Sequence, residues 1–411
     1  MTEKIYYKFI QFALGTYEGK EFLDGSALNG FDWQRFYAFA KKQTLVGIVL
    51  DGIARLPKAV APKQGLLMNW FMMSQNISRM NLMLNEATVG VYNKVKAAGY
   101  DCCILKGQAN AAMYANPAAR TPGDVDMWVN ASREEIRQLA QTLAKENGRI
   151  DEESYNHIAL TTNDISVELH YTPGFMANFT YNRRLQQWFR ESIDAQCRNM
   201  IALPDEVGEV AAPTADFNAV YQLYHLYHHY FYEGVGLRQV VDYYYVILNF
   251  ELGVLNCRLR DEELKNCELE TQNSKLNNSK SAKPTIQNSK IKNQNSLKRL
   301  GLWHFAGAMM YVLHEVLGLP EEKMIAPMDK KRGEMLLNDI LCGGNFGHHD
   351  ERHAWGRDTY DGNGFKHGAL GHNLLRLHRD LRLLKYYPSE ALSEPIFRLW
   401  HYYWRWKIHQ L

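Results

Sequence analysis

The spacing of hydrophobic residues divides the chain into a helical beginning, a short alternating middle and a helical end. In residues 1–100, apolar residues recur mostly three or four positions apart, a spacing that places them on one face of a helix. The longest such pattern runs from about Leu66 to Ala98 and stops at Gly99, a residue that favours the end of a helix. We therefore predict an N-terminal helical region over residues 1–100, in which the apolar side chains serve helix packing.

Residues 101–174 follow a different pattern, in which short apolar runs alternate with helical segments. The run from Cys102 to Leu105 ends at Lys106, and after a segment rich in turn-forming residues the chain alternates polar and apolar side chains from Asp124 to Val129. Apolar residues also lie on both sides of Asn163-Asp164, which predicts a β-hairpin. This part of the chain is therefore expected to contain a small sheet.

The remainder of the chain is expected to be helical, apart from one insertion. Residues 175–255 and 300–411 carry apolar residues at helical spacing. Residues 256–299 are rich in Asn, Ser and Lys, so burial cannot offset the entropy cost of ordering them, and we predict a disordered insertion. The fold class that follows is α+β: a small mixed β-sheet flanked by helices, with an N-terminal and a C-terminal helical region.

Composition narrows the range of functions. The chain has 411 residues, of which 46% are hydrophobic, enough for a sizeable core. Its 47 basic and 45 acidic residues give a net charge of +2, which disfavours nucleic acid as a partner. No apolar run reaches the ~18–20 residues of a membrane helix, and the N-terminus is too polar for a signal peptide. Together with six scattered cysteines, these features predict a cytoplasmic protein without a transmembrane segment.

Three carboxylates in the alternating middle form the candidate site. Side chains of a strand point to opposite faces with a period of two, so Asp124 and Asp126 lie on one face. In the second strand of the predicted hairpin, Glu168 shares a face with Ser166 and His170. Neighbouring carboxylates repel each other unless a cation lies between them. The pattern predicts a divalent metal bound by these three carboxylates, with a solvated turn that binds no ligand as the alternative.

The residues around the predicted strands Cys102 to Leu105 and Asp124 to Val129 suit phosphoryl-transfer chemistry. Carboxylates fixed on rigid strands hold metal ions that bind a nucleotide's phosphates and activate an attacking hydroxyl. The turn at Gly107 opens a predicted helix whose backbone N–H groups are able to bind phosphate. Lys106 and Arg120 add positive charge, either for phosphate contact or for structural ion pairs. In this chemistry Glu168 completes the metal site or acts as general base for the acceptor hydroxyl.

The block LKGQANAAMY, followed by GDVDMWV and VELHY, resembles the uncharacterised bacterial nucleotidyltransferases of the polymerase-beta-like nucleotidyltransferase superfamily. The superfamily pattern is a Gly-Ser turn, then Asp-x-Asp on a strand, then a third acidic residue on a later strand. The segments GVGLRQVVDYYYVI and GGNFGHHD also resemble that family, so the likeness covers most of the chain apart from the insertion. This chain departs from the pattern at Gln108, which stands where the superfamily usually has Ser.

The resemblance implies that residues 101–174 are the core of a metal-dependent nucleotidyltransferase. Such an enzyme moves a nucleoside monophosphate from an NTP to an acceptor hydroxyl, which this sequence does not identify. The implied catalytic residues, which are also the implied ligands of Mg²⁺ or of Mn²⁺ in its place, are Asp124, Asp126 and Glu168. The implied nucleotide-binding residues are Lys106, Gly107, Gln108 and Arg120.

Two other functions remain as alternatives. A catalytically degenerate nucleotide-binding or scaffold protein is one, because Gln108 lacks the hydroxyl that would touch phosphate. A phosphohydrolase or kinase that uses the same carboxylates is the other. The acceptor of a transferase is a small-molecule hydroxyl, a protein side chain or an RNA end, and the near-zero net charge disfavours RNA.

Three further groups of polar residues invite a functional interpretation. The histidines of segment 225–229 lie among tyrosines at helical spacing, which favours packing over zinc binding. The Gly- and His-rich loop that contains residues 348–353 is a candidate to line the acceptor site or to cover the nucleotide. Arg238 and Asp242 are four positions apart on a predicted helix, so the simplest interpretation is an intrahelical ion pair.

Overall fold

A computed structural model describes residues 2–145, 148–253, 282–347 and 369–407, most of which are helical. The helices before the first strand are α1 (Thr2–Leu14), α2 (Lys20–Leu23), α3 (Trp33–Lys42), α4 (Val46–Ile53) and α5 (Gln64–Ala97). Those after it are α6 (Gln108–Ala111), α7 (Arg133–Ala144), α8 (Phe179–Arg198), α9 (Ala215–Tyr232), α10 (Leu237–Leu248), α11 (Ala282–Arg299), α12 (Trp303–Leu317), α13 (Lys330–Gly343), α14 (Ala369–Leu384) and α15 (Pro388–Lys407). Within the described residues, none of these helices combines the length and apolar character needed to cross a membrane.

One mixed sheet carries the carboxylates. Its strands are β1 (Cys102–Ile104), β2 (Val125–Val129), β3 (Gly148–Glu153), β4 (His157–Thr162) and β5 (Ile165–His170). They lie in the order β1-β2-β5-β4-β3, with β2 and β5 parallel and the other neighbouring pairs antiparallel. A small second sheet, which helical spacing did not predict, pairs β6 (Met200–Ala202) with β7 (Glu209–Ala211). The mixed sheet with helices before and after it confirms the predicted α+β fold class.

The hairpin predicted at Asn163-Asp164 is confirmed. Both residues adopt left-handed backbone conformations, with φ of 48° and 61°, as a two-residue type I′ turn requires. The register places His157 of β4 directly opposite His170 of β5. Because side chains alternate along a strand, Glu168 lies on the same face as His170. The hairpin therefore brings two histidines and a carboxylate to one face of the sheet.

The parallel pairing of β2 with β5 brings the two acidic segments together. Asp126 is the register partner of Glu168. Trp128, two residues further along β2, lies on the same face as Asp126 and stacks on Phe217 of α9, with ring centroids 5.9 Å apart. Helix α9 therefore covers the carboxylate-bearing face, and its polar side chains form the opposite wall of the candidate site.

The predicted disordered insertion is wrong for its second part. Residues 254–281 lie outside the described residues, but residues 282–299 form helix α11. Leu297 and Asn293 are 0% and 2% exposed, and the hydroxyl of Ser289 donates to Asp216 at 3.2 Å. The helix packs against α9 and α12. Neighbouring helices thus supply the burial that the composition of the segment by itself cannot provide.

Helix α15 places a carboxyl group in the interior of the protein. Glu390 is 2% exposed, and its Oε1 accepts a hydrogen bond from the backbone N–H of Ala177 at 3.0 Å. Burial raises the pKa of Glu390 to about 7, although hydrogen bonds from the backbone of Ala177 and Asn178 favour the charged form; the acids Glu394 and Asp380 add to the rise. The buried group therefore favours its protonated form.

We expect this burial to make stability fall as the pH rises. Between the ordinary pKa of 4.5 and about 7, the folded chain holds a proton that the unfolded chain has released, so the free energy of unfolding decreases across that window. Glu390→Gln removes this titration and should gain roughly 2–3 kcal/mol over the wild type between about pH 5 and pH 8. Urea unfolding of both proteins across that range measures the gain. A difference in unfolding free energy that does not change with pH would contradict the prediction.

Candidate functional site

The three predicted carboxylates converge in the folded chain. Ligand oxygens of Asp124, Asp126 and Glu168 all lie within 4.8 Å of one another. Asp126 and Glu168 come from the paired strands β2 and β5, and Asp124 immediately precedes β2. Asp126 is 1% exposed, whereas the other two are partly exposed. The sheet therefore holds the three groups on a rigid frame.

Asp126 is the central member of the group. Its Oδ1 lies 3.1 Å from Lys106 Nζ and 3.1 Å from His170 Nε2, both of which donate to it. Its Oδ2 is buried and has no hydrogen-bond partner among the described residues. Carboxylate oxygens are the ligands that Mg²⁺ and Mn²⁺ prefer, and a buried carboxylate oxygen normally has a partner. The residues present therefore fit a divalent cation of this type.

The charges of the site stabilise one another. Burial acts against the charged form of Glu168, but the hydrogen bond from His170 and the charges of His157 and His170 lower its pKa to about 2. Burial also acts against protonated His170, yet hydrogen bonds to Asp126 and Glu168 raise its pKa to about 9. Burial lowers the pKa of Lys106, but Asp126 and the other two carboxylates raise it above its ordinary value. Lys106 and protonated His170 are thus cations that face the carboxylates.

The turn at Lys106-Gly107 directs the ammonium group to the carboxylates. Gly107 has a φ of 63°, and a Cβ added to it would lie 3.2 Å from the backbone oxygen of Asp124. Both features favour glycine at this position. Lys106 Nζ also lies 3.1 Å from Nε2 of His225 on α9. The turn therefore packs directly against the start of the acidic strand, below helix α9.

Gln108, which the resemblance implies to be a nucleotide-binding residue, has a buried side chain. It is 2% exposed, and its Nε2 donates to the side-chain oxygens of Asn85 and Asn81 on α5. It lines neither of the two cavities at the carboxylates. The amide that stands in place of the expected hydroxyl therefore connects the turn to helix α5 by hydrogen bonds, as a buried polar group normally has a hydrogen-bond partner.

Arg120 forms a buried ion pair with Asp242 of α10. The Nε and Nη2 atoms of Arg120 donate to the two carboxylate oxygens at 2.7 and 2.9 Å, and Tyr114 Oη donates at 2.6 Å. Burial raises the pKa of Asp242, but Arg120 and Arg238 hold it below its usual value. Arg238 Nη1 lies 3.6 Å from the same carboxylate, so two guanidinium groups share one negative charge. Nη1 of Arg120 is buried without a hydrogen-bond partner among the described residues.

Two cavities meet at the carboxylates. The narrower one has a volume of about 30 Å³ and is lined by Arg120, Arg238 and Asp126, among others. The wider one has a volume of about 410 Å³ and lies between Glu168 and the histidines of α9. Asp124 and Lys106 line both cavities. A larger cavity of about 630 Å³ beside α4 and α5 contains none of the predicted site residues. The acidic group thus lies where a narrow cleft, lined by three basic and three acidic side chains, opens into a wider cavity.

Four residues at this site were not predicted from the sequence to belong to it. His157 and His170 flank Glu168, His225 contacts Lys106, and Arg238 lines the narrow cavity. The shared face of His170 and Glu168 was a usable signal, because it follows from strand periodicity. The positions of the other three depend on strand register and on how α9 and α10 pack over the sheet. The loop of residues 348–353 lies outside the described residues.

Comparison with known proteins agrees with this geometry. No curated protein and no solved structure matches the chain significantly. A family model described as an uncharacterised nucleotidyltransferase matches residues 29–275, which is more than half of the chain and includes the whole mixed sheet, the three carboxylates and Arg238. The chain therefore belongs to this family of uncharacterised nucleotidyltransferases.

Proposed function

We propose that this protein is a metal-dependent nucleotidyltransferase of the polymerase-beta-like superfamily, which moves a nucleoside monophosphate from an NTP to an acceptor hydroxyl. The observation that carries the proposal is the convergence of Asp124, Asp126 and Glu168 beside a cleft that also contains Lys106, Arg120 and Arg238. Family membership supports the same reaction class. The near-neutral net charge favours a small molecule or a protein as acceptor over RNA.

The three carboxylates are the proposed ligands of Mg²⁺, with Mn²⁺ as a substitute. When bound, the metal would neutralise phosphate charge and activate the attacking hydroxyl. Asp126 is the best placed of the three, because Lys106 and His170 orient its Oδ1 and leave its buried Oδ2 for a further partner. Lys106 and His170 thus act as positioning residues for the ligand set.

We place the phosphates of the NTP at the mouth of the narrow cavity, where it meets the wider one at Lys106 and Asp124, because a volume of about 30 Å³ is too small for a whole triphosphate. Its charged lining consists of three basic side chains, Lys106, Arg120 and Arg238, and three acidic ones, Asp124, Asp126 and Asp242. A divalent metal on Asp124 and Asp126 would give this lining an excess of positive charge, which is costly unless an anion compensates it. Phosphate oxygens accept the guanidinium donors that these arginines present. The unpartnered Nη1 of Arg120 is one such donor.

The wider cavity is the proposed site of the acceptor, because it adjoins Asp124 and Glu168 from the other side. Of the two roles considered for Glu168, the structure favours that of metal ligand over that of general base. A carboxylate whose pKa is about 2 has little affinity for a proton near neutral pH. Glu168 also has both oxygens near histidine nitrogens, at 3.5 Å from His157 and 3.1 Å from His170.

A degenerate protein that binds nucleotide without turnover is the second candidate. It is favoured by the position of Gln108, whose side chain is turned toward α5 and offers no group to the phosphates. The two candidates share the triphosphate site and differ only in the chemistry that follows binding. A test must therefore measure both binding and product.

The test uses NTPs labelled at the α-phosphate, Mg²⁺ and a panel of hydroxyl acceptors. Release of pyrophosphate together with transfer of the label is the expected result. Arg238→Gln should weaken NTP binding by roughly tenfold or more, because it removes one charge-assisted contact to phosphate, whereas the exposed Arg198→Gln should not. Tight binding without pyrophosphate would favour the degenerate protein. Release of orthophosphate or a nucleoside diphosphate would instead indicate a phosphohydrolase or a kinase.

A further inference from the structure

Helix α15 buries its acidic residues and exposes its apolar ones. Glu390 and Glu394 are 2% and 1% exposed. From Leu392 to Trp406, every exposed residue of the helix is nonpolar or aromatic, and the exposed fractions lie between 43% and 73% for Leu392, Ile396, Leu399, Tyr402, Tyr403 and Trp406. These six residues will be called the α15 apolar face. A surface helix normally shows the opposite distribution, with its charged residues in water and its apolar stripe against the core.

Contacts on the other side of α15 fix the direction of this face. Phe397 is buried and stacks on Phe175, with ring centroids 5.1 Å apart. Arg398 forms an ion pair with the buried carboxylate of Asp380 on α14, at 3.3 Å. A rotation of the helix that buried the α15 apolar face would break both contacts. The exposure of the face is therefore part of the fold, and an exposed apolar surface of this kind marks a site of interaction.

The exposed charge around this face has one sign. Residues 376–407 contain three acidic residues, all of them at most 3% exposed: Asp380, Glu390 and Glu394. The exposed charged residues of the same stretch are Lys385 and Lys407. Arg405, which is partly exposed, already has a partner in Glu152 of β3 at 3.9 Å. The surface of these two helices is therefore positive, although the net charge of the whole chain is only +2.

The composition of the α15 apolar face suits a lipid surface. The stretch from Leu392 to Trp406 is about 21 Å long, at 1.5 Å per residue. Leucine and isoleucine side chains enter the boundary of the acyl chains when a helix lies along a membrane. Tyrosine and tryptophan combine an apolar ring with a polar tip, which favours the level of the headgroups. Lysines beside such a helix attract anionic lipids.

Charge also decides between a membrane and a second copy of this chain. A second copy that packed on the α15 apolar face would bring further lysines to the interface and no exposed carboxylate from its own residues 376–407. An anionic membrane supplies the negative charge that this surface lacks. The lipid surface is therefore the better match of the two.

We propose that the α15 apolar face and the lysines beside it are a binding surface for an anionic membrane, on which α15 lies parallel to the lipid plane. The apolar side chains would supply binding energy, and Lys385 and Lys407 would supply the preference for anionic lipid. This assignment stands on the surface of α14 and α15 and does not require that nucleotide transfer occurs.

The test measures co-sedimentation of the full chain with lipid vesicles. Wild type is expected to bind vesicles of equal parts phosphatidylcholine and phosphatidylglycerol, and to bind phosphatidylcholine vesicles at least about tenfold more weakly. Leu399→Glu should weaken binding to the anionic vesicles by about tenfold or more, because it replaces the most exposed side chain of the face with a charge that the lipid repels. The double variant Lys385→Gln/Lys407→Gln keeps the apolar face and should weaken the binding on the order of tenfold.

The matched control is Leu252→Glu, which makes the same change after α10 at a residue that is 60% exposed. It should bind the anionic vesicles as wild type does. Absence of wild-type binding to these vesicles, or equal binding by wild type and a folded Leu399→Glu, would overturn the proposal. So would a dimer in solution that Leu399→Glu dissociates, because the face would then belong to a second copy.

Discussion

Asp126→Asn is expected to lower the rate of nucleotide transfer on the order of 10³-fold. A carboxylate that helps to neutralise charge in a transition state contributes several kcal/mol, and about 4 kcal/mol corresponds to that factor. The substitution keeps the shape of the side chain but removes its charge, so Lys106 and His170 lose their shared anion and the buried Oδ2 position loses its affinity for a cation. Pyrophosphate release, measured over a range of Mg²⁺ concentrations, gives the rate.

The matched control is Asp164→Asn, which makes the same chemical change in the exposed turn between β4 and β5. The left-handed backbone of that turn accepts Asn as readily as Asp, so the fold and the rate should be preserved. A transfer rate for Asp126→Asn that matches the control would remove the central ligand from the mechanism. Equal loss of rate in both variants would indicate damage to the sheet.

Asp242→Asn is expected to lower the free energy of unfolding by about 3 kcal/mol or more. Removal of one partner from a buried ion pair leaves an uncompensated charge, which typically costs about 3–5 kcal/mol. Asp242 is 6% exposed and is the shared anion of Arg120 and Arg238, so the loss leaves two buried guanidinium groups without it. Urea unfolding at neutral pH, followed by circular dichroism, measures the change.

Two comparison variants define what this result means. Asp194→Asn changes an exposed position on α8 and should alter the unfolding free energy by no more than about 0.5 kcal/mol. Tyr114→Phe removes a single hydrogen bond to Asp242 and should cost about 1 kcal/mol. If Asp242→Asn were no less stable than Tyr114→Phe, the two arginines would not depend on this carboxylate for compensation. In that case, added inorganic triphosphate should also fail to raise the unfolding free energy of Asp242→Asn.

At the site, strand periodicity was the most informative local pattern, because it predicted the face on which each carboxylate lies. Asp124 and Asp126 are two positions apart, and a period of two places both on one face of any strand, whichever strand lies beside it. The hairpin at Asn163-Asp164 was equally local, because two residues that tolerate left-handed conformations lie between apolar runs. Local pattern therefore predicted where the carboxylates would point, metal chemistry grouped Glu168 with the two aspartates, and the family resemblance implied the same three residues.

The roles of cations and amides depended on contacts between distant segments. Arg238 and Asp242 do lie four positions apart on α10, but the closest basic partner of Asp242 is Arg120, more than 100 residues earlier in the chain. Gln108 was expected beside phosphate, and helix α5 turned it inward with two asparagines. Composition predicted disorder over residues 256–299, of which 282–299 form α11, because composition holds no information on the helices that pack against a segment.

By itself, the sequence determined the fold class, the hairpin and the face on which each carboxylate lies, because these depend on periodicity and turn chemistry over a few residues. The tertiary structure decided which side chains share a charge. It placed Asp126 between Lys106 and His170, gave Arg120 and Arg238 one common anion, and set His157 opposite His170. Electrostatic interactions act over a few ångströms of space and ignore separation along the chain, so only strand register and helix packing could reveal these partners.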